Sequence, residues 1–351
     1  MSRLAKQIAL SNYQKVVVVL LCLFCVKSFA PIFPWEAKWK ATLKIVDDNG
    51  NPVSDAKIVA GYYVPALPGK DPWSSSEKIE SVSDSNGVCV ISHDDRSGSV
   101  WFDVKKNGFY GSLGSQEFLD GRGVPDNRTF DLNIVLKRKI RPSPMYANRV
   151  DIAHREKPAF DKPVGFDLKV GGFVSPYGIG TNAQMFFTWH AEYDTNHDMS
   201  ATYGTRRKYG WYSTMTITFP NPGDGIIEFD LPGKLNNRLS EGSVGSELRS
   251  PQQAPLEGYQ SKLVKVESWR FEKLDSSLTN TYDHLHKNYL FRVNTVLDEH
   301  GKVKSAQYGK IYEDFESAVS MYLNPETNSL SLEYDMEHNL GRGGKDFYLR
   351  Y

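Results

Sequence analysis

Residues 41–63 read ATLKIVDDNGNPVSDAKIVAGYY, and this stretch decides the fold class. Leu43 and Ile45 fall on one face of its first run, and Ile58, Ala60 and Tyr62 fall on one face of its second. Successive side chains of an extended chain point to opposite sides, so apolar residues at every second position mark half-buried β-strands. Between the runs, Asp47-Asp48-Asn49-Gly50-Asn51 supplies residues that tolerate positive φ, and Pro52 fixes the exit direction of the turn.

The same pattern continues outward. A Pro-, Gly- and Ser-rich loop over 65–76, containing Trp73, is followed by predicted strands at 77–83, 88–92, 100–105 and 129–136. Asp84-Ser85-Asn86-Gly87 turns between the first two of these, and Phe130, Leu132, Ile134 and Leu136 alternate along the last. Many short strands separated by turn residues predict a small β-sandwich over 39–137. Three strings in it, Asp47…Gly50-Asn51-Pro52-Val53-Ser54-Asp55-Ala56, Ser83-Asp84-Ser85-Asn86-Gly87-Val88 and Lys105…Gly108-Phe109-Tyr110, resemble carboxypeptidase regulatory-like domains, which are transthyretin-like (prealbumin-like) sandwiches. The resemblance implies an accessory module of an exported protein, and it transfers no catalytic residue.

Residues 138–163, beginning Arg138-Lys139-Ile140-Arg141-Pro142, read as a linker or an extended edge segment. Beyond it, strands are expected at 164–170, 184–193, 212–219, 225–231, 263–271, 288–296, 303–312, 317–323 and 329–335. Val319, Met321 and Leu323 alternate up to Asn324-Pro325-Glu326-Thr327-Asn328, and Leu330, Leu332 and Tyr334 alternate away, which predicts a hairpin. A second hairpin is expected around Asp298-Glu299-His300-Gly301, and the Ser-, Gly- and Asn-rich stretch 235–258 reads as a long loop. No helical period is sustained, so the expectation is all-β: two antiparallel β-sandwich-like domains, the second over 164–351. Asn288-Tyr289-Leu290-Phe291-Arg292-Val293 and Ala306-Gln307-Tyr308-Gly309-Lys310-Ile311-Tyr312 are similar to strings in uncharacterised exported bacterial proteins, a resemblance that implies no known activity.

Residues 1–30 carry Arg3, Lys6 and Lys15 ahead of the unbroken apolar run VVVVLLCLFCV at 16–26. That run is shorter than the about 20 residues a membrane span needs, and it fits a secretory signal with Ser28-Phe29-Ala30 at the cleavage site. Pro31 would make a poor new N-terminus, and Phe29, Ile32 and Phe33 extend the apolar segment, so retention as a signal anchor stays open. Either way the chain is expected to be exported: periplasmic, envelope-attached or extracellular. Its 42 basic and 42 acidic residues cancel, which leaves no global field for nucleic acid, and membrane contact is expected only through an uncleaved N-terminal segment. Apart from Cys22 and Cys25 in the apolar run, Cys89 is the single thiol, placed between Val88 and Val90 as a small buried residue.

Two stretches compete for function. His190, Glu192 and Asp194 share one face of a predicted strand and His197 follows, a row of nitrogen and oxygen donors of the kind zinc accepts. The spacing matches no metalloenzyme motif, and a polar strand face followed by a turn explains it, so no metal or other cofactor is expected. Asp283-His284-Leu285-His286 reads as a solvated strand. Residues 203–212 mix Tyr203, Arg206, Tyr209, Trp211 and Tyr212 with glycine in a predicted loop, a stacking platform for a sugar or a peptide. G-x-S-x-G and phosphate-loop patterns are absent from the sequence. The expectation is therefore a non-enzymatic exported protein that binds a protein, peptide or glycan or supports an envelope or extracellular structure. Its rival is an exported hydrolase, carbohydrate-active or metal-assisted, with its site in the C-terminal domain.

Overall fold

The computed structural model describes residues 38–63, 76–94, 99–117, 128–152, 157–196, 198, 209–230, 244–269, 287–312, 315 and 318–342. The N-terminal segment 1–30, Trp73 with the loop from Pro65, His197, Tyr203, Arg206, His284 and His286 lie outside the described residues. Every regular element among the described residues is a β-strand.

The first sandwich uses β1 (Lys38–Asp47), β2 (Lys57–Tyr63), β3 (Ser76–Val82), β4 (Val88–Asp94), β5 (Ser99–Lys105), β6 (Ser112–Glu117) and β7 (Arg128–Leu136). One sheet runs β4-β1-β7 and the other β6-β5-β2-β3, with β1 and β7 parallel and the other neighbours antiparallel. β1 and β2 do not pair; the turn between them carries the chain from one sheet to the other. Asp47 Oδ1 accepts the amides of Asn49 (3.0 Å) and Asn51 (2.8 Å), and Gly50 takes φ +80° while its N–H donates to the Asp47 carbonyl (2.9 Å). The inward faces then meet: Leu43, Ile45, Ile58, Ala60, Val100, Phe102, Val104, Ile134 and Leu136 are all 0–1 % exposed. Burying each large side chain of this kind is worth about 1.5–3 kcal/mol. Cys89 belongs to this core, its Sγ donates to Ser81 Oγ (3.1 Å), and burial pushes its thiol pKa up.

The second sandwich faces a five-stranded sheet, β10-β9-β11-β12-β15, with a six-stranded one, β13-β16-β17-β18-β8-β19. Their strands are β8 (Ser143–Asp151), β9 (Val164–Asp167), β10 (Gly172–Phe173), β11 (Met185–Asp194), β12 (Gly210–Thr218), β13 (Gly225–Asp230), β15 (Lys262–Trp269), β16 (Lys287–Leu297), β17 (Val303–Tyr312), β18 (Ala318–Leu323) and β19 (Tyr334–Asn339). Val164, Phe166, Phe187, Phe291, Val293, Ile311, Val319 and Met321 fill the space between the sheets. The hairpin around Asp298 forms as expected, with the Asp298 carboxylate taking the amides of His300 (2.9 Å) and Lys302 (2.8 Å).

Three expectations need correction. The stretch 138–163, expected as a linker or an extended edge segment, contributes β8, which is extended but lies between β18 and β19 inside the six-stranded sheet. The hairpin over 319–334 does not form. β18 spends both edges on β17 and β8, the following chain runs beside 252–254 through bonds such as Leu332 N to Gln252 O (2.9 Å), and β19 joins β8 in parallel. The supposed long loop 235–258 contains a strand, β14 (Val244–Ser246), and this strand pairs with β6 of the first sandwich.

That last pairing joins the two halves. Glu247 extends it: its N–H donates to Gly111 O (2.8 Å) and its carboxylate accepts Gly111 N–H (2.9 Å). Lys137 donates to Ser250 O (3.0 Å) and Gln252 to Arg138 O (2.6 Å). Glu333, 2 % exposed, accepts from Tyr110 OH (3.1 Å) and from the amides of Ile140 (2.9 Å) and Arg141 (3.1 Å). Beside it, Lys310 stands over the rings of Tyr312 (4.8 Å) and Tyr322 (5.0 Å) on the outer face of the six-stranded sheet. Both faces of that sheet are therefore covered, and β16 and β18 are buried along nearly their whole length rather than alternately.

Candidate functional site

The five-stranded sheet of the second sandwich is where the closed packing ends. Cross-strand register sets its inward rows: Phe187, Ile217 and Leu263 first, then Trp189, Met215 and Lys265, then Ala191, Ser213 and Glu267, with Tyr193 and Trp211 beyond. The first row is core. The second brings an ammonium into it: Lys265 Nζ donates to the hydroxyl of the fully buried Tyr289 (3.1 Å) on the opposite sheet and lies 5.8 Å from its ring centroid. The third row has no large apolar side chain, and at the fourth Tyr193 is 63 % exposed. The sheets consequently part into a cleft of about 360 Å³, walled by Trp189, Tyr193, Trp211, Met215, Phe315 and the segment that carries Lys157 and Phe160. This lies within the range of about 300–1,000 Å³ usual for small-ligand pockets.

β15 makes the cleft polar against the grain of its own sequence. In KLVKVESW a period-two reading turns Val264 and Val266 inward. The register does the reverse: Lys265 and Glu267 point between the sheets, and Val264 is left 44 % exposed. Strands that break their binary pattern do so where a polar group is wanted inside.

The remaining wall is held from outside the sheet. Asp161 takes φ +58°, donates its N–H to Trp189 O (2.8 Å), and holds His190 Nδ1 at 2.6 Å. This pins residues 157–161 beside the middle of β11, where Lys157 Nζ donates to Ile152 O (2.6 Å) and stands 5.7 Å from the Trp189 ring centroid. Burial pushes the Lys157 pKa down, opposed by the negative charges of Glu267 and Asp151.

The residues expected from the sequence divide accordingly. Trp211 and Tyr212 lie on strand β12 rather than in a loop; neighbouring positions face opposite ways, so Trp211 looks inward while Tyr212 is opposite Glu192 on the outer face. Tyr209 is half-buried just before the strand. The histidine–carboxylate row is only partly brought together. His190 Nε2 meets Glu192 Oε1 (3.0 Å) while its Nδ1 meets Asp161, and these hydrogen bonds from Glu192 and Asp161 push the imidazole pKa up. The two carboxylates sit at opposite edges of the ring and cannot converge on one ion with it. Asp194 is 3 % exposed and its Oδ1 accepts the Asn196 amide (3.2 Å), turned into the following turn. Lys157, Lys265 and Glu267 were not singled out by sequence reasoning; the inverted pattern of β15 was the available signal for two of them.

No family model matches the chain, and no curated protein matches it. Solved structures with which it shares a partial likeness include a 3-chlorocatechol 1,2-dioxygenase from Rhodococcus opacus (10 % identity, 29 % of this chain and 60 % of that chain, TM-score 0.22). Others are a catechol 1,2-dioxygenase from Acinetobacter radioresistens (12 % identity, 30 % and 53 %, TM-score 0.22) and a hydroxyquinol 1,2-dioxygenase from Pseudomonas putida (11 % identity, 29 % and 57 %, TM-score 0.21). The chain thus spans less than two thirds of each. Similarity at this level transfers neither fold details nor chemistry.

Proposed function

We propose that this is an exported, non-catalytic binding protein of the cell envelope or extracellular space, with its ligand in the cleft of the second sandwich. The first sandwich acts as a transthyretin-like, carboxypeptidase regulatory-like accessory module clasped to it by β14. The observation that carries the reading is the composition of the cleft wall. Glycoside hydrolysis needs two carboxyl groups roughly 5–10 Å apart, and Glu267 is the one carboxylate among the described lining residues. Tyr193 and Trp211 instead offer aromatic rings, which suit stacking against a sugar or an aromatic side chain. Glycan and peptide arrays probed with the wild type and with Trp211→Ala test this. Binding that drops at least about 10-fold (roughly 1.4 kcal/mol) in the variant is the expected result. Turnover of a bound oligosaccharide, or binding indifferent to Trp211→Ala, would contradict it. Export is checked by the mass and N-terminus of the protein recovered outside the cytoplasm.

A further inference from the structure

The unusual feature of the cleft is the direction of β15, with Lys265 and Glu267 turned between the sheets and Val264 turned out. Val264, 44 % exposed, forgoes the burial that the local pattern would have given it. The cleft receives two ammonium groups in return, Lys265 from β15 and Lys157 from the pinned segment 157–161, against Glu267 alone among the described lining residues. Both ammoniums sit by aromatic rings, Tyr289 and Trp189. The half-burial that lowers the Lys157 pKa is relieved when a negative group enters beside it.

The ligand's other contacts are side-chain contacts. β12, the middle of the floor, is hydrogen-bonded to β11 on one side and to β15 on the other, so a ligand lying across it is met by side chains rather than by main chain. Those side chains are the rings of Trp211 and Tyr193, the hydroxyl of Ser213 and the two ammoniums. A rigid ring that is apolar on its faces, hydroxylated at its edge and substituted with a carboxylate matches all of these at once. Resting on the binding role proposed above, we propose that the cleft selects acidic sugars: a uronic acid residue stacks on Trp211 and Tyr193 while its carboxylate is held between Lys157 and Lys265, and Glu267 accepts from a hydroxyl.

Calorimetric titration of the full chain with oligogalacturonate, the corresponding neutral oligogalactose and oligoglutamate tests this. The wild type is expected to bind the uronate at least about 10-fold more tightly than the neutral sugar, with affinity falling as salt rises. Lys265→Met should erase that preference, bringing the ratio of uronate to neutral-sugar affinity to about 1. Because Lys265 also touches Tyr289, Glu267→Gln gives a second reading: removing the cleft's carboxylate should tighten uronate binding relative to neutral sugar. Equal affinity for the two sugars, or a preference untouched by both substitutions, overturns the acidic-sugar assignment while leaving the binding role intact. Binding of oligoglutamate alone overturns the sugar in favour of an acidic peptide. Failure of all three ligands to bind overturns the inference together with the binding role.

Discussion

The two sandwiches use similar means to opposite ends. In the first, the inward residues of β1, β2, β5 and β7 stay apolar to the ends of the strands, and the core closes around Phe102 and Ile45. In the second, the inward rows of β11, β12 and β15 start as closed core at Phe187 and Ile217 and become aromatic and charged within three residue pairs. The second sandwich can leave one end open because its six-stranded sheet is braced from behind. Glu333, Lys310 and the chain around 247–254 cover the outer face, and β14 ties that cover to the first sandwich. The open end of the five-stranded sheet thus faces a six-stranded sheet held from behind, with the first sandwich as its buttress.

The contrast can be broken most forcefully at the cores. Phe102→Ala is expected to cost about 3–5 kcal/mol, whereas Trp211→Ala, at a half-buried position of the cleft wall, should cost less than about 1 kcal/mol. Chemical denaturation of the two variants compares them; equal losses would mean that the cleft wall is core. Next comes the buttress. Glu333→Gln keeps one acceptor oxygen but sets its NH2 either against the Arg141 amide or against Tyr110 and Ile140; it should cost about 1–3 kcal/mol and split a single thermal transition into two as the sandwiches uncouple. A single transition that merely moves down would show that the clasp does not depend on this carboxylate.

The acid limb sharpens the comparison further, because Asp47 belongs to the first sandwich and braces Arg138 at its exit (3.0 Å). Burial pushes the Asp47 carboxyl up, but the bonds from the Asn51 amide, Arg138, the Asn51 side chain and the Asn49 amide outweigh it and hold the pKa at about 2, against 3.8 ordinarily. A depressed pKa stabilises the fold above the unfolded value and loses that contribution as pH falls. Asp47→Asn should therefore flatten the loss of stability between pH 4 and pH 2 and leave the cleft's ligand affinity unchanged. A wild-type acid limb in the variant would contradict this. The smallest effect is expected at His190, whose raised pKa works in the other direction: its grip on Asp161 is complete below about pH 6.5 and fades as pH rises through the higher folded value. His190→Gln should remove a weakening of ligand binding at alkaline pH; an unchanged pH profile would show that the 157–161 segment is held by the Asp161 amide alone.

Much of the fold was legible in the sequence, for local reasons. Asp47, Asp84 and Asp298 each begin an Asp-x-x-Gly turn in which the carboxylate takes the amides two and four residues on, and Gly50, Gly87 and Gly301 adopt φ of +80°, +72° and +73°. Such turns are set by their own residues, so the strands flanking them were found. At Gly87 the close approach of Ile45 O adds a second reason for the missing Cβ. What depended on distant chain was not legible. β8 looked like a linker because a basic, proline-containing stretch precedes it, yet its place is fixed by pairing with β18 across most of the domain. β14 is three residues long and has meaning only against β6. The site was half legible: the aromatics of β12 stand out in sequence, but the inward direction of Lys265 and Glu267 is set by their register against Met215 and Ser213 and opposes the local pattern.

The central claim is that one sandwich is closed and the other is open at β11, β12 and β15. Cysteine accessibility in a Cys89→Ala background measures this directly. Ser213→Cys, on the cleft floor, and Ala60→Cys, in the first core, are each exposed to a thiol reagent under native conditions. Ser213→Cys is expected to react within about 10-fold of a fully exposed thiol, while Ala60→Cys reacts only through opening of the fold and so is slower by orders of magnitude. Protection of Ser213→Cys to the same degree as Ala60→Cys would contradict the account, because the inner face of the five-stranded sheet would then be as closed as the core it was set against.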